Sequence, residues 1–477
     1  MKEKSLLPFQ KYGVNYLLSR KFALLADDMG LGKTVQAVTA ARRLNLFKSS
    51  KAQKKVVVIA PAVALYNWQK EIKAWSGNNT VLPIVDAENV GNTFLGRGFI
   101  CSFNFARDHL FNRLHTLGTL DLLIIDECHY LKNPLSFDRN NRPKLNRTKA
   151  VLGPRGIIHK ARRCWALSGT PMPNHIGEMW PILRVFNATD LNYQKFLERY
   201  CVFSAVSAPT RRGGIVTKDK IVGTDMSKKE EIRGMLKGVM LRRKKRDNLQ
   251  LPPITRAPFY IKGKFPKTLF KNMDEKRQRE IEERVGIMEK ELEMVLSDSH
   301  NIMEVLAATS QSLSSMRRFH AYSKVLETVE LISNEVKSGA YRKLVVFGYY
   351  TGPLELLNKL LQIKGMATYL VTGAVPPKKR FEMQEAFQRG RESNRPQIFI
   401  GNIIAAGVNL TLTKASNVIF LDQDWVPGSN AQATDRIDRY GQKENMHVRY
   451  VTIANSVDEK VNHVLIRKMK EIGGILG

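Results

Sequence analysis

A short apolar run, Phe22-Ala23-Leu24-Leu25-Ala26, leads into the loop Met29-Gly30-Leu31-Gly32-Lys33-Thr34 and then into Val35-Gln36-Ala37-Val38-Thr39-Ala40-Ala41-Arg42-Arg43-Leu44. The first segment reads as a buried strand and the last as a helix. Strand, glycine turn and helix in immediate succession are the unit from which parallel α/β sheets are built. The loop between them also has a chemistry. Gly30 and Gly32 let the backbone turn tightly and aim N–H groups at phosphate oxygens, and the helix N-terminus behind them favours negative charge. In that setting Lys33 would reach the β- and γ-phosphates of a nucleotide and the Thr34 hydroxyl would ligate Mg²⁺. The strict phosphate-loop pattern is not kept, because Asp27 stands where its first glycine belongs.

A second strand-like run, Leu122-Leu123-Ile124-Ile125, ends in Asp126-Glu127-Cys128-His129. Adjacent carboxylates at the C-terminal edge of a buried strand are costly unless a cation neutralises them. Magnesium-bound ATP does so: Asp126 would hold the metal, directly or through water, and Glu127 would orient and deprotonate an attacking water. An Asp-Glu pair at a strand end is common in α/β proteins, so this motif gains meaning from its partner upstream.

The chain carries 76 Lys and Arg against 44 Asp and Glu, a net charge of +32 over 477 residues. An excess of that size favours a polyanionic partner, nucleic acid first. Anionic membrane competes, but no basic amphipathic anchor stands out, and no apolar run approaches the roughly 18–20 residues of a span. Met1-Lys2-Glu3-Lys4-Ser5 shows no signal-peptide pattern. Cys101, Cys128, Cys164 and Cys201 are widely spaced. They read as buried small hydrophobes in a reducing, intracellular compartment (cytoplasm or nucleus, host cytoplasm if viral), without structural zinc.

Further strand-like runs are Val56–Ala60, Phe99–Cys101, Lys343–Phe347, Gln397–Ile400 and Asn417–Leu421. Their alternation with helical patterns predicts two α/β lobes. Between them lies the basic run Leu241-Arg242-Arg243-Lys244-Lys245-Arg246, which reads as a localisation patch, a DNA-facing strip or a solvated helix face. Leu251-Pro252-Pro253 then breaks the chain, and residues 266–335, rich in Glu, Lys, Met and Leu, read as long helices. The last residues, Ile472–Gly477, read as a frayed end.

Other motifs follow in order. They are Leu7-Pro8-Phe9-Gln10-Lys11-Tyr12-Gly13, Ala60-Pro61 with Asn67-Trp68-Gln69-Lys70-Glu71, Leu167-Ser168-Gly169-Thr170-Pro171, Ala405-Ala406-Gly407-Val408-Asn409-Leu410-Thr411, Asp424-Trp425-Val426-Pro427-Gly428 and Gln432-Ala433-Thr434-Asp435-Arg436-Ile437-Asp438-Arg439-Tyr440-Gly441-Gln442. The ordered series resembles the SNF2 family of superfamily-2 helicase-like ATPases, in a compact form without accessory reader domains. Ala405-Ala406-Gly407 with Gly441-Gln442 leans toward the distant subgroup that includes fork-remodelling annealing helicases. The chain departs from the usual family pattern at Val426 and around Val408-Asn409.

The resemblance implies two RecA-like lobes with helical insertions between them. Residues 1–245 would form the ATP-binding lobe, with a helical protrusion near 185–240; 246–335 a linker and second protrusion; 336–477 the C-terminal lobe. It implies Gln10 as an adenine-reading glutamine, whose amide offers both a donor and an acceptor. Gly30, Gly32, Lys33, Thr34, Asp126 and Gln432 would complete the ATP site, and Ser168 and Thr170 would couple it to the nucleic-acid surface. Arg436 and Arg439, three apart on one helix face, would act as arginine fingers beside Lys33 and Glu127. Pro61, Asn67, Ser102, Tyr349, Arg380, Thr411 and Trp425 fall to the DNA-facing surface, whereas Trp68 and most aromatics read as core. The implied activity is DNA-stimulated ATP hydrolysis driving movement along double-stranded DNA without sequence specificity, with protein targeting partners left open. A strand-separating or annealing superfamily-2 helicase, and a non-enzymatic DNA-binding scaffold, are the rival readings.

Overall fold

The computed structural model describes residues 5–47, 54–77, 80–89, 98–135, 144–209, 215–264, 279–280, 283, 286–287, 310–389, 395–406 and 410–476. The chain divides into two units. One comprises Met1–Cys201, Thr224–Gln250 and Ile472–Gly477, the other Val202–Gly223 and Leu251–Glu471.

The first unit is built on strands β1 (Phe22–Leu25), β2 (Val56–Ala60), β3 (Ile84–Val85), β4 (Gly98–Ser102), β5 (Leu122–Asp126) and β6 (Cys164–Leu167). Two further strands, β7 (Cys201–Pro209) and β8 (Ile215–Thr224), pair with each other and fall almost wholly in the second unit, while β9 of the first is the dipeptide Met240–Leu241. The sheet order is β3-β4-β2-β5-β6-β1-β9, with every pairing parallel. The central strands β2 and β5 are buried along their whole length, as expected of a parallel sheet covered on both faces. Helices α1 (Pro8–Ser19), α2 (Lys33–Arg43) and α3 (Leu65–Trp75) cover one face. Val14, Leu17, Val38, Ala41, Trp68 and Ile72 pack there against Leu25, Val58 and Ile124.

The second unit carries β10 (Ile254–Ile261), β11 (Lys343–Gly348), β12 (Ala367–Val371), β13 (Gln397–Asn402), β14 (Asn417–Phe420) and β15 (Met446–Ile453). These lie parallel in the order β10-β15-β14-β11-β13-β12. Along β11 the side chains alternate between two cores. Leu344 and Val346 join Val329, Ile332, Leu357 and Ile419, while Val345 and Phe347 join Phe387, Phe399 and Phe420. The two-residue period thus buries both faces.

Several expectations change here. Residues 201–224, inside the stretch expected to be a helical protrusion, hold the strands β7 and β8; β-branched residues such as Val202, Ile215, Val216 and Thr217 favour this. The expected linker contains β10, which pairs along its whole length with β15. Much of the helical stretch expected over 266–335 lies outside the described residues. Its last part, the helix Val325–Lys337, sends Val325, Val329 and Ile332 into the second unit's core. Ile472–Leu476 are not frayed: they close the helix Val457–Leu476, and Ile475 and Leu476 are buried. All four cysteines are buried and unpaired. Among the described residues no helix is long and apolar enough to cross a membrane.

Candidate active site

The loop after β1 places its glycines where only glycine sits without strain. Gly30 has φ 88°, and Gly32, the residue capping α2, has φ 73°. Lys33 is the first residue of α2, so its side chain turns back over the loop, and Nζ donates to the carbonyls of Asp27 (2.7 Å) and Asp28 (3.2 Å). Burial pushes the Lys33 ammonium below its ordinary range, while the carboxylates of Glu127, Asp27, Asp126 and Asp28 pull it back up. Gly169 lets β6's terminal loop approach: a Cβ there would meet Met29 at 2.5 Å and Lys33 Nζ at 3.3 Å. Thr34 follows on α2, half-buried.

Asp126 closes β5, and Glu127 takes a left-handed conformation (φ 47°) that a non-glycine residue adopts only where its surroundings hold it. The Asp126 carboxylate accepts from the Glu127 backbone N–H at 3.0 Å and from the Trp68 indole Nε1 at 2.7 Å. Burial, then the neighbouring Glu127 charge, pushes its carboxyl up to about 6. From Glu127 a polar chain runs to the end of β6. Glu127 Oε2 lies 3.3 Å from His129 Nδ1, which lies 3.0 Å from Ser168 Oγ, and that hydroxyl accepts from Thr170 N at 3.1 Å. Ser168 and Thr170 are thereby tied to the acid pair.

Gln10 lies against the loop, where a Cβ on Gly32 would stand 2.6 Å from its Nε2. Its Oε1 accepts from Leu7 N and its Nε2 donates to the Leu31 carbonyl, leaving one lone pair and one N–H. Pro61 and Ser102 stand at the C-terminal ends of β2 and β4, and Asn67 lies on α3; Ser102 Oγ accepts from Phe105 N and so caps the next turn.

Two features escaped the sequence reading. Trp68 packs in the core as expected, but its indole also reaches Asp126. The basic run is neither a solvated helix face nor an exposed strip at its centre. Because β9 pairs parallel to β1 (Leu24 with Met240, Leu25 with Leu241), the next residues, Arg242 and Arg243, run beside Asp27 and Asp28. Arg242 pairs with Asp28 at 3.0 Å, and Arg243 grips the fully buried Asp27 bidentately, with Nε to Oδ1 at 2.9 Å. Lys245 is buried too, while Lys244 and Arg246 are exposed. A parallel pairing of a two-residue strand is the signal, and the sequence alone barely marks it.

In the second unit the helix Pro427–Thr434 carries Gln432 and stops before the arginines. Arg436 and Arg439 therefore do not share a helix face. They sit in successive turns around the buried Ile437, where Arg436 is 5% exposed and Arg439 Nη1 donates to the Leu410 carbonyl and Thr411 Oγ1. Thr411 N in turn bonds Gln384 Oε1. Arg380 spends its guanidinium on the carbonyls of Val375, Ala405 and Gly373. Tyr349 lies just past β11, its N–H donating to Asp422 at 2.9 Å. Arg317 stacks on the Trp425 ring, 4.4 Å from its centroid. Gly407, Val408 and Asn409 lie outside the described residues.

Among the described residues no group of three or more His, Cys, Asp or Glu is placed to hold a metal. The candidate donors are oxygens: the buried carboxylate pair Asp126 and Glu127 at the end of β5, and the Thr34 hydroxyl in the first turn of α2. Such a set suits a hard cation that keeps water and phosphate oxygens for the rest of its shell, as Mg²⁺ does.

A parallel sheet that carries a glycine phosphate loop at one strand end and an acid pair at another is that of a RecA-like lobe. A model of the SNF2-related domain matches residues 9–315, and one of the helicase conserved C-terminal domain matches residues 324–441. The chain belongs to the SNF2-related family. It is 26% identical to the mouse DNA annealing helicase and endonuclease ZRANB3, over 99% of this chain and 41% of the relative. It is 26% identical to the putative ATP-dependent helicase/translocase YwqA of Bacillus subtilis, over 97% of this chain and 48% of the relative. It thus spans less than half the length of these two curated relatives. Among solved structures, the Sulfolobus solfataricus SWI2/SNF2 ATPase core in complex with dsDNA matches at 20% identity and a TM-score of 0.39, covering 98% of this chain and 92% of that one.

Proposed function

We propose that the chain hydrolyses ATP and uses the energy to move along double-stranded DNA, as an SNF2-type translocase that does not need to separate the strands. The observation that carries the ATPase reading is Lys33. A partly buried ammonium at a helix start, held over loop carbonyls and within electrostatic reach of Asp126 and Glu127, is built to exchange those carbonyls for phosphate oxygens. Gly30 and Gly32 N–H groups would cradle the phosphates and Gln10 would read the adenine edge with its remaining donor and acceptor. Thr34 and Asp126 would hold Mg²⁺, which screens phosphate charge during transfer. Glu127 would take the proton of the attacking water. Its left-handed backbone aims the carboxylate, and His129 links it to Ser168 and Thr170, the route by which nucleotide state would reach the DNA surface. Arg436 and Arg439 would stabilise the transferring phosphate, with Gln432 beside the nucleotide.

The DNA reading is supported by the net charge of +32 and by family membership. Contacts would fall on phosphates, through donors on Asn67, Ser102, Tyr349, Thr411 and Trp425 on a surface that Pro61 helps to line, and would carry no sequence information. The experiment is ATPase rate with single-stranded DNA, duplex DNA, branched DNA and RNA, beside triplex displacement and forked-duplex unwinding. Duplex-stimulated hydrolysis with triplex displacement is expected. Efficient unwinding without triplex displacement would give the function to a strand-separating helicase, and no hydrolysis at all to a scaffold.

A further inference from the structure

One guanidinium ties together the elements that surround the phosphate loop. Arg243 donates to both oxygens of Asp27 at the loop's root, to the Phe9 carbonyl next to Gln10, and to Gln36 Oε1 on α2 at 2.9 Å. Gln36 Nε2 in turn donates to Asp27 Oδ2 (3.2 Å) and to the Leu31 carbonyl (3.1 Å), the same carbonyl that receives Gln10 Nε2 at 3.2 Å. The guanidinium also lies over the Phe9 and Tyr12 rings, at 5.5 and 5.8 Å from their centroids. Gly13 leaves room for this cluster: a Cβ there would stand 1.8 Å from Gln36 Oε1 and 2.7 Å from Arg243 Nη2.

We propose that Arg243 is a positioning residue for the nucleotide, setting through Asp27 and Phe9 the relative placement of the phosphate loop and the adenine-reading end of α1. The inference rests on the reading of that loop as an ATP site. Asp27 stands where a strict phosphate loop has a flexible glycine, and it is wholly buried, so its charge persists there only with a partner. A planar guanidinium fork fixes a carboxylate in direction as well as in distance, which an ammonium cannot do. One side chain then holds the loop's root, the start of α1 and the first turn of α2 in a single geometry. Because Arg243 engages the root of the loop and the base end, its loss weakens ATP and ADP by the same factor. Lys33, aimed at the β- and γ-phosphates, discriminates between them.

The test is equilibrium binding of fluorescent ATP and ADP analogues, with thermal unfolding alongside. The proteins are the wild type, Arg243→Lys, the double variant Asp27→Asn with Arg243→Gln, and Lys33→Ala. The double variant removes both charges together and leaves no orphan charge in the core; if it does not fold, Arg243→Lys decides alone. Expected are cooperative melts and affinities for ATP and ADP that fall equally, on the order of tenfold, the size of a lost charged hydrogen bond. Lys33→Ala should lose ATP more than ADP. Folded Arg243 variants that bind both nucleotides as the wild type does overturn the proposal, and so does a loss confined to ATP. A wild type that binds neither nucleotide overturns the ATP-site reading itself, a result separate from either of these.

Discussion

The indole Nε1 of Trp68 donates to Asp126 Oδ2 at 2.7 Å, joining a core residue of α3 to the carboxylate that ends β5, 58 positions further along the chain. Trp68 is 1% exposed and packs among Ile72, Val58 and Ile124, so its ring is fixed before it reaches the acid. The hydrogen bond favours the ionised form of a carboxyl that burial and Glu127 push up to about 6. A residue that looks purely structural thus favours the anionic form of the proposed metal carboxylate and fixes its direction.

Trp68→Phe keeps most of the packing and removes the donor. The expected cost is about 1–3 kcal/mol in urea unfolding, that of leaving a buried acceptor without its partner. Nucleotide binding should also need more Mg²⁺, because a less ionised Asp126 is a poorer ligand. A variant that loses stability while its Mg²⁺ dependence stays put would make Trp68 a core residue only.

Glu127→Gln preserves shape and hydrogen-bonding capacity but cannot accept the water proton. Steady-state turnover should fall by at least about 100-fold, the usual reach of a positioned base, with nucleotide affinity retained. Single-turnover hydrolysis beside equilibrium binding measures both. An unchanged rate would remove Glu127 from the proposed chemistry.

What the sequence made legible follows from periodicity and local turn chemistry. The strand runs at 22–25, 56–60, 122–126, 343–348, 397–402 and 417–420 are all strands, because these apolar runs are too short for a helix and rich in β-branched or aromatic residues. The glycine turn between β1 and α2 was legible because glycine conformation and helix start are local properties. Arg243 with Asp27 was not: 216 residues separate them, and the short strand β9 that aligns them has only two residues to announce itself. The helix expected under Arg436 and Arg439 failed for a related reason. Their spacing fits a helix, but the side chain of Ile437 is drawn into the core and the chain turns around it. Tertiary burial overrode local pattern.

Arg380 illustrates how a surface cation can be committed elsewhere. With three carbonyls of its own unit already bound, Arg380→Ala should loosen the turn at Gly373–Val375 and leave the electrostatics of DNA binding nearly intact. Filter binding across a salt series reads this directly, since each lost phosphate contact lowers the salt slope by about 1. An unchanged slope with a lower melting temperature is expected. A slope reduced by a full contact would return Arg380 to the DNA-facing set.

Asp422 offers a pH-dependent test on a residue that the proposed chemistry does not use. It lies just beyond β14, where its carboxylate accepts from the backbone N–H groups of Tyr349 and Tyr350 at 2.9 and 3.3 Å. Burial raises its carboxyl to about 6, against the opposing pull of Lys324, Arg317 and those two N–H groups. An unfolded aspartate ionises near pH 3.9, so between about pH 4 and 6 the unfolded chain gives up this proton while the folded chain keeps it. Stability is therefore greatest at the acid end of that window, falls as pH rises through it, and levels off above the folded value. A shift of about two units corresponds to roughly 3 kcal/mol at most. Asp422→Asn mimics the neutral acid and has nothing to titrate. The difference in urea-unfolding free energy, wild type minus variant, should drop between pH 4 and 6 and then stay flat. A difference that is level across the window, or that rises with pH, would mean that the two backbone N–H groups and the nearby cations keep Asp422 ionised despite its burial.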